Sequence, residues 1–271
     1  MEAKLQHRIQ RYGWDAAASV YESEWQLLLA PAQKVLLEMA DLQPGMAIVE
    51  TAAGTGLITF PAAEVVGSDG SVMATDISGE MIKLGNSIAV KHGLSNVAFQ
   101  RMNAEALEYE DGRFDRALCA LGLMYMPEPR VALSEMKRVL RPGGIASVAV
   151  WGERRNCGWA DIFPIVDARV HSEVCPLFFG LGAKGALASD LVATGFGHVA
   201  ERRIRTVLSF DDSHRVVSAI IDGGAVALAA KRFDHSTRQA VDEELLASVE
   251  RFRNGKRYEI PGEFVIASGT A

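Results

Sequence analysis

The feature that most restricts the fold of this sequence is an alternation between residues 46 and 150. Short apolar runs at 46–50, 71–75, 97–101, 114–120 and 145–150 are separated by helix-patterned segments at 58–66, 79–92 and 131–140. Runs of five to seven residues bounded by turn residues predict strands rather than helices. The turns are punctuated by Ser68-Asp69-Gly70 and Arg141-Pro142-Gly143-Gly144. Gly93 predicts a helix end, and Pro61 fits the first turn of its helix. The run 114–120 is apolar enough to be buried on both faces, which suits a central parallel strand. Strands joined by helices require right-handed crossovers, so an α/β fold with a mostly parallel sheet is expected.

The flanks read differently. Residues 4–40 predict helix, with Leu27, Leu28, Val35, Leu36 and Met39 at roughly helical spacing. Pro31 is expected to split that stretch into two helices, because its ring removes a hydrogen bond and crowds the preceding turn. Gln43-Pro44-Gly45 is a turn. Beyond Trp151 the pattern loosens: a helix near 189–194, a strand at 203–210, two or more helices in 213–253, and a last strand at 259–268. The expected organisation is one domain of 271 residues. It comprises a helical cap (1–42), a cofactor-binding half (43–151) and an acceptor-side half (152–271). In the last of these, the insertion at about 213–253 forms a lid or pocket wall.

Composition excludes several classes. Hydrophobic residues make up 49% of the chain, enough for a sizeable core without staples. No uninterrupted apolar stretch approaches the length of a membrane span. The segment MEAKLQHRIQRYGWD has no apolar signal-peptide core, so a cytoplasmic location is expected. The formal net charge of −6 argues against a nucleic-acid partner. Cys119, Cys157 and Cys175 lack metal-ligand spacing, so no metal is expected, and Cys119 in its apolar run reads as a core thiol.

Ligands of parallel sheets bind beyond the carboxyl ends of the strands, so three strand ends are read together. The first is Glu50-Thr51-Ala52-Ala53-Gly54-Thr55-Gly56, where glycines permit close backbone approach. The second is Thr75-Asp76-Ile77-Ser78, where an acid could accept ribose hydroxyls or cap the next helix. The third is Met102-Asn103-Ala104-Glu105, where an amide and a backbone N–H could read an adenine edge.

In order and spacing, these segments resemble the class I S-adenosylmethionine-dependent methyltransferases, particularly the ubiquinone/menaquinone-biosynthesis type. The resemblance covers about residues 10–151. It is carried by IVETAAGTGLITFPAA, VGSDGSVMATDISGEMI, VAFQRMNAEALEYEDGRFD, LGLMYMPEP and VLRPGG. It implies a Rossmann-like, doubly wound, seven-stranded sheet with an antiparallel final strand. It also implies that Glu50 and the backbone of Ala52, Gly54 and Gly56 hold the methionine end of the cofactor. Asp76 would bind the ribose, with Ile77 and Met81 near the adenine, and Asn103 and Ala104 at the adenine edge. Cys119 and Ala120 would pass beneath the sulfonium, and Tyr12 and Tyr21 would belong to the closing cap. Three positions depart from the family pattern: Ala52 replaces the first loop glycine, Ala53 follows it, and Asn103 replaces an aspartate. Ala52 is expected at negative φ. A positive φ there would mark a strained or rebuilt loop and favour a non-catalytic reading.

The expected chemistry is direct in-line methyl transfer to a small-molecule acceptor, in which the protein chiefly aligns the reactants. A protonated acceptor would need a base, for which Tyr125, His171 and His214 are the candidates. Trp151, Trp159 and Phe163 either line an apolar acceptor site or belong to the core. Two other readings are a non-catalytic cofactor-binding scaffold and a nicotinamide-dependent oxidoreductase. The second lacks the third glycine of its fingerprint, since Thr59 stands there. The acceptor atom and the oligomeric state, monomer or homodimer, stay open at this point.

Overall fold

The computed structural model describes residues 3–170 and 178–271. Helix α1 (Ala3–Ala40) precedes the alternating region, which runs β1 (Ala47–Thr51), α2 (Thr59–Val66), β2 (Ser71–Asp76), α3 (Gly79–Lys91), β3 (Val97–Arg101), β4 (Phe114–Ala120), α4 (Pro129–Val139) and β5 (Leu140–Trp151). Then come α5 (Ile162–Asp167), α6 (Ala186–Ala193), β6 (Gly197–Phe210), α7 (Ser213–Val217), α8 (Ala227–Ala230), α9 (His235–Val249), β7 (Arg253–Asn254) and β8 (Arg257–Thr270).

These strands form one sheet in the order β3-β2-β1-β4-β5-β8-β6, with the two-residue β7 hairpinned onto β8. The expected seven strands are therefore the main path, and β7 is an eighth. The first five strands are parallel, and β8 runs antiparallel to both β5 and β6. Reversal of the strand order beside β1 makes the topological switch point at which α/β sheets bind ligands.

Three expectations are corrected. Pro31 does not divide the N-terminal stretch; α1 continues through it for 38 residues. Pro31, Ala30 and Leu27 all face solvent, so the carbonyl that loses its partner is on the wet side. Ala32 and Leu36 continue the buried stripe of Trp25 and Leu29, and that burial outweighs the local cost. The Arg141–Gly144 turn is instead the start of β5, which begins at Leu140. Its β4 pairing is irregular between Phe114 and Arg116, so the turn-like residues occupy a bulged entry. Finally, β6 and β8 each extend several residues beyond the apolar runs that marked them, because the β6–β8 ladder supplies backbone partners to polar residues too.

The end of α1 is anchored on the sheet. Arg116 of β4 donates from Nε to the Ala40 carbonyl at 2.5 Å and from a terminal nitrogen to the Asp41 carbonyl at 3.0 Å. The unpaired carbonyls of a helix terminus are thereby satisfied by a buried cation. Ser147 of β5 donates to the Leu36 carbonyl at 3.0 Å. At the other side of the sheet, the buried Glu263 carboxylate of β8 accepts from Arg203 at 2.6 Å, Asn156 at 3.0 Å and the Glu153 N–H at 3.0 Å. It pins the segment leaving β5 against β6.

Candidate active site

Parallel pairing sets the carboxyl ends of β1, β2 and β3 side by side, with Thr51 opposite Thr75 and Asp76 opposite Arg101. Beyond them lies a cleft that, with the solvent at its mouth, encloses about 680 Å³. Ala52 and Gly54 line it from the first strand end, and Asp76, Ile77 and Met81 from the second. Asn103 and Ala104 line it from the third, and Ala120 and Leu121 from the end of β4. Helix α1 lies across this opening and adds His7, Trp14 and Tyr21.

The loop after β1 is tied to the second strand end. The Ala53 N–H donates to the Thr75 carbonyl at 2.9 Å, and the Gly54 N–H to the Asp76 carboxylate at 2.9 Å. Asp76 also accepts the Ser78 N–H at 2.8 Å. Ser78 caps α3 by accepting the Met81 N–H, and its hydroxyl donates to Asp15 of α1 at 2.6 Å. One hydrogen-bonded series thus joins the first loop, the ribose-side acid, the cap of α3 and the overlying helix. Asn103 accepts the Glu105 N–H through its side-chain oxygen at 3.0 Å, which leaves its NH₂ to face a ligand. Glu105 in turn pairs with His7 of α1 at 2.8 Å and accepts the Glu128 N–H at 2.9 Å.

The cleft is acidic and lacks internal compensation. Burial pushes the Glu50 carboxyl up to about 8, against the lowering effect of the Thr59 hydroxyl that donates to it at 2.5 Å. Burial likewise raises Asp76 to about 6, against the Ser78 and Gly54 N–H groups. Neither carboxylate forms an ion pair among the described residues. Thr55, in the loop after β1, has a buried hydroxyl with no hydrogen-bond partner among the described residues. Two buried acids without a cation, beside an orphaned hydroxyl, suit a ligand that carries positive charge and polar groups.

Ala52 overturns the expectation set for it: its φ is +53°. The left-handed region costs an L-residue roughly 1–2 kcal/mol. Leu121, across the cleft, is also left-handed at φ +60°. Two strained backbones therefore face each other at this site, a pattern that surrounding structure must enforce.

Several residues expected at the cofactor do not line the cleft. Tyr12 points to solvent beside Arg11. At 100° per residue it lies about 200° around α1 from Trp14, which takes the inward position instead. Glu50 is turned inward to Thr59. Gly56 serves packing: a side chain there would strike the Phe60 and Phe99 rings at 2.6 and 2.8 Å. Cys119 is fully buried, its thiol raised to about 11 by burial, and only its neighbours Ala120 and Leu121 reach the cleft. His214 is exposed on α7 and lines neither cavity of the site. His171 and Cys175 lie outside the described residues. Tyr125 does line the cleft, edge-on to Trp14 at 5.1 Å and to Phe178 at 5.2 Å. The sequence reading missed His7, Trp14, Met102 and Gly122. A signal for the first two was present, since His7, Trp14 and Tyr21 recur every seven residues and so share one face of a helix.

A second chamber of about 450 Å³ adjoins the cleft. Trp14, Tyr21, Leu121 and Tyr125 line both. Its remaining walls include Trp25, Met124, Trp151, Trp159, Phe163 and Ile220. The structure thus places Trp151, Trp159 and Phe163 together, next to the cleft. Trp159 lies 4.9 Å from Trp151 and 5.8 Å from Phe163, centroid to centroid.

Comparison with known proteins finds likenesses over the half of the chain that builds this cleft. Residues 42–157 match the model of a methyltransferase domain. An uncharacterized protein of Mycobacterium tuberculosis is 35% identical over 124 residues, 46% of this chain and 44% of that protein. A ubiquinone/menaquinone biosynthesis C-methyltransferase of Shewanella oneidensis is 37% identical over 113 residues, 41% of this chain and 45% of the relative. The chain spans about half the length of the curated relatives it matches. Among solved structures, a candidate methyltransferase of Bacillus halodurans superposes with a TM-score of 0.61 at 18% identity, covering 89% of this chain and 98% of the other.

The sheet and its switch-point cleft share the fold of that solved structure. Residues 42–157 are similar to a methyltransferase domain, and part of that stretch to a ubiquinone/menaquinone biosynthesis C-methyltransferase. Asp76, a buried acid that lines the cleft without an ion pair among the described residues, suits a ligand with positive charge or hydroxyl donors.

Proposed function

We propose that this chain methylates a small, apolar acceptor held in the second chamber, using S-adenosylmethionine held in the cleft. The observation that carries the reading is the shared wall: Trp14, Tyr21, Leu121 and Tyr125 line both cavities, so the two ligands would meet there. Bound in the cleft, S-adenosylmethionine supplies a methyl group activated by a positive sulfur. Asp76, Ile77, Met81, Asn103 and Ala104 would hold its nucleoside end, and the Ala52–Gly54 backbone its amino-acid end. Leu121 and Ala120 would form the floor between the ligands.

The protein's own part is alignment and exclusion of water, which α1 supports by lying across the opening. Tyr21 is a poor candidate for a base. Burial, and the nearby Asp76 and Glu50 charges, hold its proton well above the ordinary tyrosine range. It would act as a neutral hydroxyl. Tyr125, on the same junction, is the better-placed group for orienting an acceptor. His214 has no part in this reading. Calorimetric titration with S-adenosylmethionine, followed by chromatographic detection of S-adenosylhomocysteine with apolar aromatic acceptors, tests it. A folded protein that binds no cofactor at sub-millimolar concentration would sink it.

A second reading, a cofactor-binding chain without transfer, draws on the left-handed Ala52. The open cleft and its ordered hydrogen bonds weigh against a collapsed loop. Formation of S-adenosylhomocysteine with any acceptor separates the two readings.

A further inference from the structure

The second chamber has aromatic and aliphatic walls almost throughout, with the Tyr21 and Tyr125 hydroxyls at its junction with the cleft and one further polar group among the rings. The Trp159 side chain is 96% buried, being 4% exposed, yet its indole N–H has no hydrogen-bond partner among the described residues. Trp25, in the same wall, shows what a structural indole does here: its N–H donates to the Ala219 carbonyl at 3.1 Å and the Gly223 carbonyl at 2.9 Å. The Trp159 ring is surrounded by the Trp25, Trp151, Phe163, Phe178 and Phe179 rings, at centroid distances of 4.9 to 6.4 Å. Ring faces are weak substitutes for an oxygen acceptor. A buried donor left unmade is costly, and such groups in folded proteins usually mark a missing partner. Among the described wall residues no carboxylate, amine, guanidinium or imidazole is present, so a charged ligand would be stranded.

We infer that Trp159 is a specificity-determining residue of the second chamber. Its N–H donates to one oxygen or nitrogen acceptor atom on an otherwise apolar, uncharged, ring-bearing ligand. The inference rests on the proposed function in taking this ligand to be the methyl acceptor. The chamber and its donor stand independently of whether a methyl group is transferred.

The test uses two probes of nearly equal shape, 2-acetylnaphthalene and 2-ethylnaphthalene. They differ in a carbonyl oxygen that only the first carries. Binding to the full chain is followed by tryptophan fluorescence, with and without S-adenosylhomocysteine. Wild-type protein should bind the ketone about ten-fold more tightly than the hydrocarbon, the size expected for one buried hydrogen bond. Trp159→Phe keeps a ring and removes the donor, so it should erase the preference while leaving hydrocarbon binding in place. Should that variant fail to fold, the wild type carries the test alone. Its Trp159 indole ¹⁵N–¹H resonance should move downfield with the ketone and stay near its free position with the hydrocarbon. Equal binding of the two probes, binding of neither, a preference retained in Trp159→Phe, or an indole resonance blind to the ketone would each overturn the inference. Failure of S-adenosylmethionine to bind in a separate titration would sink the proposed function and leave these outcomes readable.

Discussion

The methyl group of Ala52 rests against Gly122. A side chain built on Gly122 would put its first carbon 2.2 Å from the Ala52 Cβ and 3.3 Å from the Cys119 sulfur. The loop after β1 carries one side-chain carbon at Ala52, and the loop after β4 has none at Gly122, where the two meet. Gly122→Ala should therefore cost about 1–3 kcal/mol through overpacking. Ala52→Gly should stabilise by ~1 kcal/mol at most, because relief of the left-handed alanine is partly offset by greater freedom of the unfolded chain. The double variant should recover most of the Gly122→Ala loss. A denaturant-melt cycle that shows simple additivity would refute the contact.

Glu50 links cofactor binding to protons. Its carboxyl sits at about 8 in the free protein, so at pH 7 it is mostly protonated. A cationic ligand favours the ionised form, so binding at pH 7 should release protons. Calorimetry in buffers of different ionisation enthalpy reads this directly. Affinity for S-adenosylmethionine should rise between pH 6 and 8. Glu50→Gln should remove most of the proton release at pH 7 and flatten the slope above it, leaving the smaller part that Asp76, at about 6, contributes near pH 6.

The same shift has an opposite consequence for stability. A carboxyl raised on folding makes the folded state the stronger proton binder, so its stability falls as pH rises from the unfolded value near 4.5 to about 8. Glu50→Gln should thus melt progressively higher than wild type across that window, with a constant difference above it and little difference below. Equal Tm profiles from pH 4 to 9 would contradict the assignment.

Asp15 should hold the overlying helix to the nucleoside side of the cleft. It accepts from the Ser78 hydroxyl and, at 3.2 Å, from the Glu80 N–H, and its charge helps to raise Asp76. Asp15→Asn should speed amide hydrogen exchange in the first turns of α1 and weaken cofactor binding several-fold, while β4 and β5 keep their protection. Unchanged exchange would mean that packing alone seats the helix.

Glu263 should be the costliest single charge to lose. Its removal strands Arg203 and leaves Asn156 and the Glu153 N–H without their acceptor. Glu263→Ala should destabilise the fold by about 3 kcal/mol in denaturant melts. A loss below 1 kcal/mol would show that solvent replaces these partners.

The five parallel strands were legible in the sequence because local periodicity and turn residues decide them. Phe114–Ala120 and Val97–Arg101 fall where the apolar runs fall. The strand-end residues Asp76, Asn103 and Gly54 were legible for a related reason, since a parallel sheet delivers them to one edge. What stayed hidden depends on distant partners. Pro31 was misjudged because its solvent-facing position is a tertiary fact. The sign of φ at Ala52 is bound up with the space left by Gly122, seventy residues on. Glu263 and Trp159 lay in the region where local pattern fades, and only packing reveals that one carboxylate oxygen of the first gathers three donors while the indole of the second has no acceptor among the described residues.

The position of β8 has a consequence for how this chain is made. It lies between β5 and β6, both of which precede it in sequence, and among the described residues it is the only strand that β6 pairs with. While a ribosome is still adding residues 211–256, β6 has no neighbour to hydrogen-bond, and β5 presents an unpaired border. The parallel strands β1 to β5 can assemble early, but the acceptor-side wall must wait for the last insertion. Until then both borders are open to other nascent chains, and the arginines at 202, 203 and 205 of β6 supply the like-charge repulsion that keeps such strands apart.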